Sequence, residues 1–440
     1  MRKNKWGFPL ASLLLTAGIS SEVYAFPMFG KQTGLDCTAC HMQHEPKLNT
    51  AGRRFAASGM TESLHANDAN GSGMDLNPSL MFKSMYEETW DKPTSSGLVS
   101  TTTPTAGGEW SIPKTASLLL GGRLGENAGA LLNLSYKDVE ANSIGGKVVY
   151  ARGIENGYIG AALYSSSSFG PFSGMEFYNT GLYKPLRTFD IKKLSNAFQA
   201  SEIGTGGATG AQIYFDSDKV FVDNGHLFAT IGAFAPAQDN VDMELSNNVL
   251  PFARIAYEYA LGDFDLILGG FGIVGGSKVS SSEPLSIERE TYGVDFQMEG
   301  VIAEKSVSLV LSKVLRNKVT YTGRGSNLLD PEEYSNLDNE AFSIEGEINI
   351  IPELGFKAAY MTFDDLYAYP NAVVGKPTGS DYQANHVNVK DIDHAFTVGV
   401  DYSFKAYLPM KVAIEHSWAK PTLERVKDYR DFLVSLNILY

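Results

Sequence analysis

Cys37-Thr38-Ala39-Cys40-His41 is the stretch of this chain whose residue types and spacing come closest to dictating a chemistry. Two thiols separated by two residues can form thioether bonds to the vinyl groups of one haem, and a histidine directly after the second thiol is placed to ligate the iron. The other chemistries open to such a pair are a disulfide, redox-active or structural, and half of a zinc site. With two cysteines in 440 residues, a thiolate zinc site would need distant histidines to complete its four ligands. A thioredoxin-type pair belongs near alternating strands and helices, and no such pattern follows. The expectation is therefore one covalently attached haem c, held by Cys37 and Cys40 with His41 as an axial ligand.

The second axial ligand is less constrained. Met60 is the first candidate: it follows a glycine-containing turn that can return the chain to the opposite haem face, and a Met/His pair would raise the reduction potential. Its alternative role is a core methionine packing the haem edge. His44 stands about one helical turn from His41 on the same side, so it cannot readily reach across the iron. Met28, His65 or an open position complete the alternatives. The remaining histidines, His226, His386, His394 and His416, are scattered and read as structural or loop-exposed.

Residues 1–25 have the form of a secretory signal, with Arg2, Lys3 and Lys5 at the basic end, an apolar middle from Leu10 to Ile19, and a small-residue cleavage site ending at Ala25. Its removal takes away three positive charges and one negative, moving the formal net charge from −14 to −16. That balance argues against nucleic acid and favours cationic partners. No later stretch is long and apolar enough for a membrane-spanning helix.

The elements that must position the haem segment divide into four stretches: the signal at 1–25, a helical monohaem segment at 26–64, a polar linker at 65–78 and a β domain at 79–440. Asp68, Asn70 and Asp75 in the linker lack the ligand spacing of a calcium loop. Beyond Leu80 the period is two. Phe396, Val398, Val400, Tyr402 and Phe404 alternate with Thr397, Gly399, Asp401 and Ser403, and Tyr292, Val294, Phe296 and Met298 alternate with Gly293, Asp295, Gln297 and Glu299. Such alternation fits a membrane barrel or a soluble sandwich equally well.

Connection lengths separate the two. Nine strands are expected at 250–261, 263–274, 287–299, 303–315, 340–351, 354–364, 393–405, 409–419 and 429–440, joined by links that alternate tight and long, as in outer-membrane barrels. The last segment ends on an aromatic, Tyr440. About seventeen candidate segments emerge, with 157–166 and 173–184 the weakest, and even parity points to sixteen strands with both chain ends at the periplasmic side. The haem segment would then start there and fold up into the lumen, where Glu258, Asp295, Glu345, Glu347, Asp401 and Glu415 would favour cations. Gly270 to Gly275 satisfies a dinucleotide-binding pattern without the helix that pattern requires.

The segment Phe29-Gly30-Lys31-Gln32-Thr33-Gly34-Leu35-Asp36 leading into the cysteine motif, then Pro46-Lys47-Leu48-Asn49, Gly52-Arg53-Arg54-Phe55 and Gly59, resembles the start of the fused outer-membrane cytochrome–porins of iron-oxidising bacteria. The match covers roughly residues 26–60. It departs at His44-Glu45, where a single aromatic often precedes the proline, and at Met60, which replaces an aromatic. The resemblance implies electron transfer from extracellular Fe(II) or another redox donor, through one haem c, to a periplasmic c-type cytochrome, with outer-membrane lipid around the barrel and a possible Fe(II) oxidoreductase activity. Electron export to an extracellular acceptor and a diffusion porin with a haem-bearing plug are the alternatives.

Overall fold

The computed structural model describes residues 28–41, 48–62, 73–93, 108–137, 143–166, 197–201, 208–235, 249–279, 285–322, 336–365, 392–405, 409–421 and 426–439. The signal stretch, His44, His65, the candidate strand at 173–184, His386 and Tyr440 lie outside them.

Sixteen strands follow one another: β1 (Asp75–Pro93), β2 (Glu109–Gly125), β3 (Ala128–Lys137), β4 (Ser143–Ile154), β5 (Gly157–Ser166), β6 (Ala208–Asp218), β7 (Gly225–Ala235) and β8 (Leu250–Leu261), then β9 (Phe264–Val279), β10 (Leu285–Ile302), β11 (Lys305–Thr322), β12 (Asn336–Ile351), β13 (Leu354–Asp365), β14 (Ile392–Lys405), β15 (Pro409–Pro421) and β16 (Val426–Leu439). Each pairs antiparallel with its neighbours, and β1 pairs with β16 from Met81↔Leu439 to Pro93↔Val426, closing the barrel. Closure leaves no unpaired edge. Among the described residues, four short helices accompany the wall: α1 (Met28–Thr33), α2 (Cys37–Cys40), α3 (Thr50–Ala57) and α4 (Ala197–Ala200).

The polarity of the wall is inverted relative to a soluble fold. Along β10 the inward Asp295 and Gln297 are 2% and 1% exposed, while Val294 between its inward neighbours is 39% exposed. The same holds on β14, where Thr397, Asp401 and Ser403 are buried and Phe396 and Tyr402 exposed, and on β8, where Arg254 and Glu258 are buried and Ile255 exposed. A polar interior with an apolar exterior is stable only when the exterior meets hydrocarbon. This settles the choice left open by period-two alternation: the domain is a transmembrane barrel of sixteen strands.

One end of the barrel carries tight links: Glu126-Asn127, Glu155-Asn156, 219–224, Gly262-Asp263, Ala303-Glu304 and Pro352-Glu353. The opposite end carries longer ones, among them 167–207 and 366–391. Ala303 and Glu304 both have positive φ, 49° and 64°, the conformation that matches the right-handed twist of a two-residue hairpin.

The structure corrects several boundaries. Asp75 to Pro78, read as linker, opens β1 and pairs with Leu120 to Arg123 of β2; ladder hydrogen bonds use the backbone, so polar side chains do not end a strand whose neighbour extends further. The strand expected at 303–315 runs on to Thr322 and its partner begins at Asn336 rather than 340. Both extend past the apolar band into the long-loop end, where side-chain periodicity no longer marks them.

Candidate functional site

Residues 28–41 and 48–62 pack within the tight-turn mouth of the barrel. Asn49 organises it locally. It is the N-cap of α3, its Oδ1 accepting from Gly52 N at 3.0 Å, which satisfies one of the free amides of the first turn. Its side-chain amide donates to Ala39 O at 3.1 Å and Thr38 O at 3.3 Å, and its backbone N–H to Cys40 O at 3.0 Å. One residue thus fastens the Cys37–Cys40 turn to the next helix. His41 forms an isolated bridge with Leu48. A Cβ at Gly52 would collide with the Cys40 carbonyl, so glycine is what lets α3 cross against α2.

Helix α3 ends in a Schellman motif. Met60 N donates to Phe55 O and Gly59 N to Ala56 O, both at 3.1 Å, with Gly59 at φ 79° and Met60 at φ 59°. An apolar contact between the residue after the glycine and the helix's last turn belongs to that motif. Met60 accordingly joins Phe55 in a cluster with Val149, Ala151, Ala162, Tyr214 and Phe228 of the wall.

The anchor is electrostatic. Arg53 is wholly buried; it grips Glu258 of β8 through two parallel contacts, Nε–Oε2 at 3.1 Å and Nη2–Oε1 at 2.7 Å, and reaches Glu299 Oε1 of β10 at 3.0 Å. Its Nη1 donates to Leu48 O at 2.7 Å. Thr50 Oγ1 lies 2.6 Å from Glu258 Oε1 and 2.8 Å from Asp265 Oδ2. A planar guanidinium suits this two-carboxylate pocket in a way a lysine could not. Arg54 pairs with Asp218 at 2.6 Å, and that carboxylate shares His226 with Asp216. Tyr214 OH donates to Ala57 O at 2.7 Å, while Gln32 Nε2 ties α1 to Met60 O at 2.8 Å and Glu62 O at 2.5 Å. Tyr214→Phe should loosen this docking by roughly 1 kcal/mol, the worth of one buried hydrogen bond, read as faster amide exchange across 50–57 with the barrel unchanged.

Of the residues singled out from the sequence, Cys40 and His41 are both half-buried, Cys37 and Cys40 share one helical turn, and Met60 is placed against the wall beside Phe55. Burial pushes the Cys40 thiol up, and the nearby Glu62 carboxylate adds to the shift. All six lumen carboxylates do face inward, as expected. At least four of them are engaged by bases: Glu258 by Arg53, Asp295 by Arg254 at 2.7 Å, and Glu347 and Asp401 by Lys357 and Lys411 at 2.6 to 3.4 Å. The acidic lumen is therefore much less of a cation lure than its carboxylates suggest, because each paired charge is largely cancelled at contact distance. His226 is structural, and His394 and His416 sit beside the aromatic residues Tyr360 and Trp418.

The interior is also less uniformly polar than expected. Helix α4, within the link between β5 and β6, enters the lumen: Ala197 N donates to Ser343 Oγ at 2.9 Å, Asn317 donates to Ser201 O at 2.8 Å, and Phe198 meets Phe271 edge-on at 5.0 Å. Around it lie Phe234, Phe252, Ile273 and Met361. These inward apolar residues interrupt the alternation of β7 to β9, where sequence pattern alone cannot tell which face is which.

The sequence reading quoted Asn49 and Arg53 only within a resemblance, and assigned no role to them, to Thr50 or to Tyr214. The pair Arg53-Arg54 beside apolar Phe55 was the available signal, since a basic side chain on the packed face of a short helix demands buried acids.

The fold and site define a transmembrane β-barrel with its N-terminal segment docked in one mouth. No family model matches the chain, and no curated protein matches its sequence. Among solved structures it is similar to the outer-membrane channel DcaP of Acinetobacter baumannii, with TM-score 0.48 and 12% identity over 84% of this chain and 97% of that one. It is also similar to the anion-selective porin from Comamonas acidovorans, with TM-score 0.46 and 8% identity over 84% and 100%, and to Pseudomonas aeruginosa OprD, with 0.38 and 12% over 83% and 95%. These are likenesses of barrel architecture.

Proposed function

We propose that this barrel conducts electrons across the outer membrane through one haem c held by the docked segment, taking them from extracellular Fe(II) or a similar donor and passing them to a periplasmic c-type cytochrome. The observation that carries the reading is the chain of contacts from the Cys37–Cys40 turn through Asn49 to the buried Arg53 anchor, which fixes a Cys-x-x-Cys-His motif to the inner wall. The donor set fits the group: Cys37 and Cys40 on one turn would supply the thioethers, and His41, next in the chain, an axial nitrogen. The bound group would supply one-electron chemistry; the protein's part is to hold it at fixed depth and shield it. A Cys40 thiol raised by burial and by Glu62 is a poor thiolate, which counts against disulfide exchange as the motif's purpose. Met60 remains the proposed second ligand, and its seat beside Phe55 fits the packing alternative as well.

The test is direct. Replacing Cys37 or Cys40 with serine should abolish covalent haem staining while the barrel still shows heat-dependent gel mobility, and anaerobic Fe(II) should reduce the haem of the unmodified protein. Met60→Ala should lower the potential and alter the ferric spectrum; an unchanged spectrum would reassign the ligand. Reduced protein that is oxidised rapidly by Fe(III), with no reduction by Fe(II), would favour export.

A second reading, a diffusion porin with a seated plug, is favoured by the inward polar residues of β14 to β16, including Thr397, Ser417, Asp431 and Ser435. Absence of covalent haem together with small-solute flux in liposomes would put it first.

A further inference from the structure

The two inserts lean on one side of the lumen. Arg53 holds α3 to β8 and β10, and α4 meets β9, β11 and β12 through Phe271, Asn317 and Ser343. On the opposite arc the inward side chains of β2 to β4 are only half-buried: Thr115 and Leu119, then Leu131, Asn133 and Ser135, then Lys147. Register puts them on one face, with Leu119↔Asn133, Ser117↔Ser135 and Leu131↔Lys147. Height along the barrel does not explain the difference. Asn133 and Ser135 stand five and seven residues above Ala128, where β3 begins, and inward residues at like heights on other strands, among them Glu345, Met361 and Ser417, are wholly buried. An inward side chain of a closed barrel meets solvent only in the lumen. A solvated lane therefore runs down this arc, about 20 Å along β2 from Thr115 to Gly121 at the rise of an extended strand.

The lane ends on the docked segment. A Cβ at Gly121 would stand 2.6 Å from Met28 Sδ, one at Gly129 3.1 Å from Met60 Cβ, and one at Gly122 3.1 Å from Gln32 Oε1. Three glycines thus let α1 and Met60 lie directly against the wall at its foot. Gln32 is wholly buried there, and its Oε1 has no hydrogen-bond donor. Leaving such an oxygen dry costs about 1–3 kcal/mol, so a water or the polar shell of a solute belongs beside it.

We infer that this lane is where the electron donor enters: a small solvated solute, an aquo metal ion or a compact chelate, that diffuses from the long-loop mouth to the segment bearing Cys37–His41. The inference rests on the electron-transfer reading for the donor's role and deepens it by giving the donor's size and route. The described lining offers hydroxyls, an amide and a lysine but no carboxylate, so it hydrogen-bonds a hydration shell without replacing it. The donor keeps its own ligands, gives one electron to the ferric haem and leaves one unit more positive. A folded protein is too large for a lane that shares a sixteen-strand lumen with two inserts.

The test places single cysteines in the full chain carrying Cys37→Ser and Cys40→Ser, in nanodiscs, with heat-dependent gel mobility confirming that each variant folds. The probes are a small sulfonated methanethiosulfonate and a maleimide on a long polyethylene glycol. Asn133→Cys and Ser135→Cys should react with the small probe on the order of tenfold faster than Ser343→Cys and Ser417→Cys, because exposure governs thiol reactivity. The polymer should label Glu109→Cys, exposed at the mouth, and not Asn133→Cys. Equal rates in the lane and on the buried wall, or polymer labelling at position 133, would overturn the inference. With both haem cysteines intact, Gly145→Trp, which fills the lane opposite Asn133, should slow reduction by Fe(II) several-fold with the haem spectrum unchanged; an unslowed reduction would overturn the donor's route. Labelling is read without haem, so a lane that fails there fails by itself. Absent haem staining in the unmodified protein would instead overturn the electron-transfer reading and the donor's role with it, while labelled lane positions would still mark a solute site.

Discussion

Replacing Arg53 with alanine is expected to free the N-terminal segment from the lumen while leaving the barrel folded. The guanidinium is fully buried and satisfies Glu258 and Glu299 together. Removing it leaves two carboxylates facing each other in a dry pocket, and breaking a buried pair in this way costs about 3–5 kcal/mol. Thr50 would lose its aligned acceptor as well. The expected readout is rapid protease cleavage within residues 26–64, with heat-dependent gel mobility retained. Because the penalty comes from stranded charge rather than lost packing, Arg53→Met combined with Glu258→Gln and Glu299→Gln should recover much of the protection. If Arg53→Ala protein resists protease as wild type does, the anchor does not hold the segment.

The second large effect lies on the opposite face of the wall. Ile255 is 56% exposed in the middle of β8, between buried Arg254 and Ala256, and its cross-strand neighbours are Ala229 and Gly270. Were this surface bathed in water, Ile255→Arg would change stability by no more than about 0.5 kcal/mol. Facing hydrocarbon near the middle of the span, the same change should cost roughly 2–4 kcal/mol. Urea titration of folding into phospholipid vesicles measures the difference, and a neutral result would contradict the membrane-facing exterior. Arg254 one residue away already shows the complementary rule: a charge on the inner face is tolerated because Asp295 meets it at 2.7 Å.

Most of the wall was legible because its signal is local. The strand expected at 250–261 is β8 to the residue, and those expected at 354–364 and 409–419 end within two residues of their observed limits. Period-two alternation and link length are both readable within a dozen positions. The weak segment at 157–166 is β5, faint in the pattern because it is rich in small residues, Gly160, Ala161 and Ala162. The docking site was not legible in the same way. Arg53 and Glu258 are separated by 205 positions, and nothing in either neighbourhood names the other. The inward Phe252, Phe271 and Ile273 escaped for a related reason: a strand with apolar residues on both faces has no period from which to read direction. Cys37, Cys40 and His41 were singled out by their spacing alone, which is local in the same sense as the strand pattern.

Closure of β1 onto β16 joins the first strand of the chain to the last. The polypeptide that comes to occupy the mouth leaves the ribosome before any strand exists, while the strand that seals the cylinder is the last to be made. The seat of residues 48–62 is built from β4 to β10, midway along the chain and away from the β1–β16 seam. The insert is thus held like a keystone by the middle of the wall and not by the seam, so a defect at its anchor would release it without opening the cylinder.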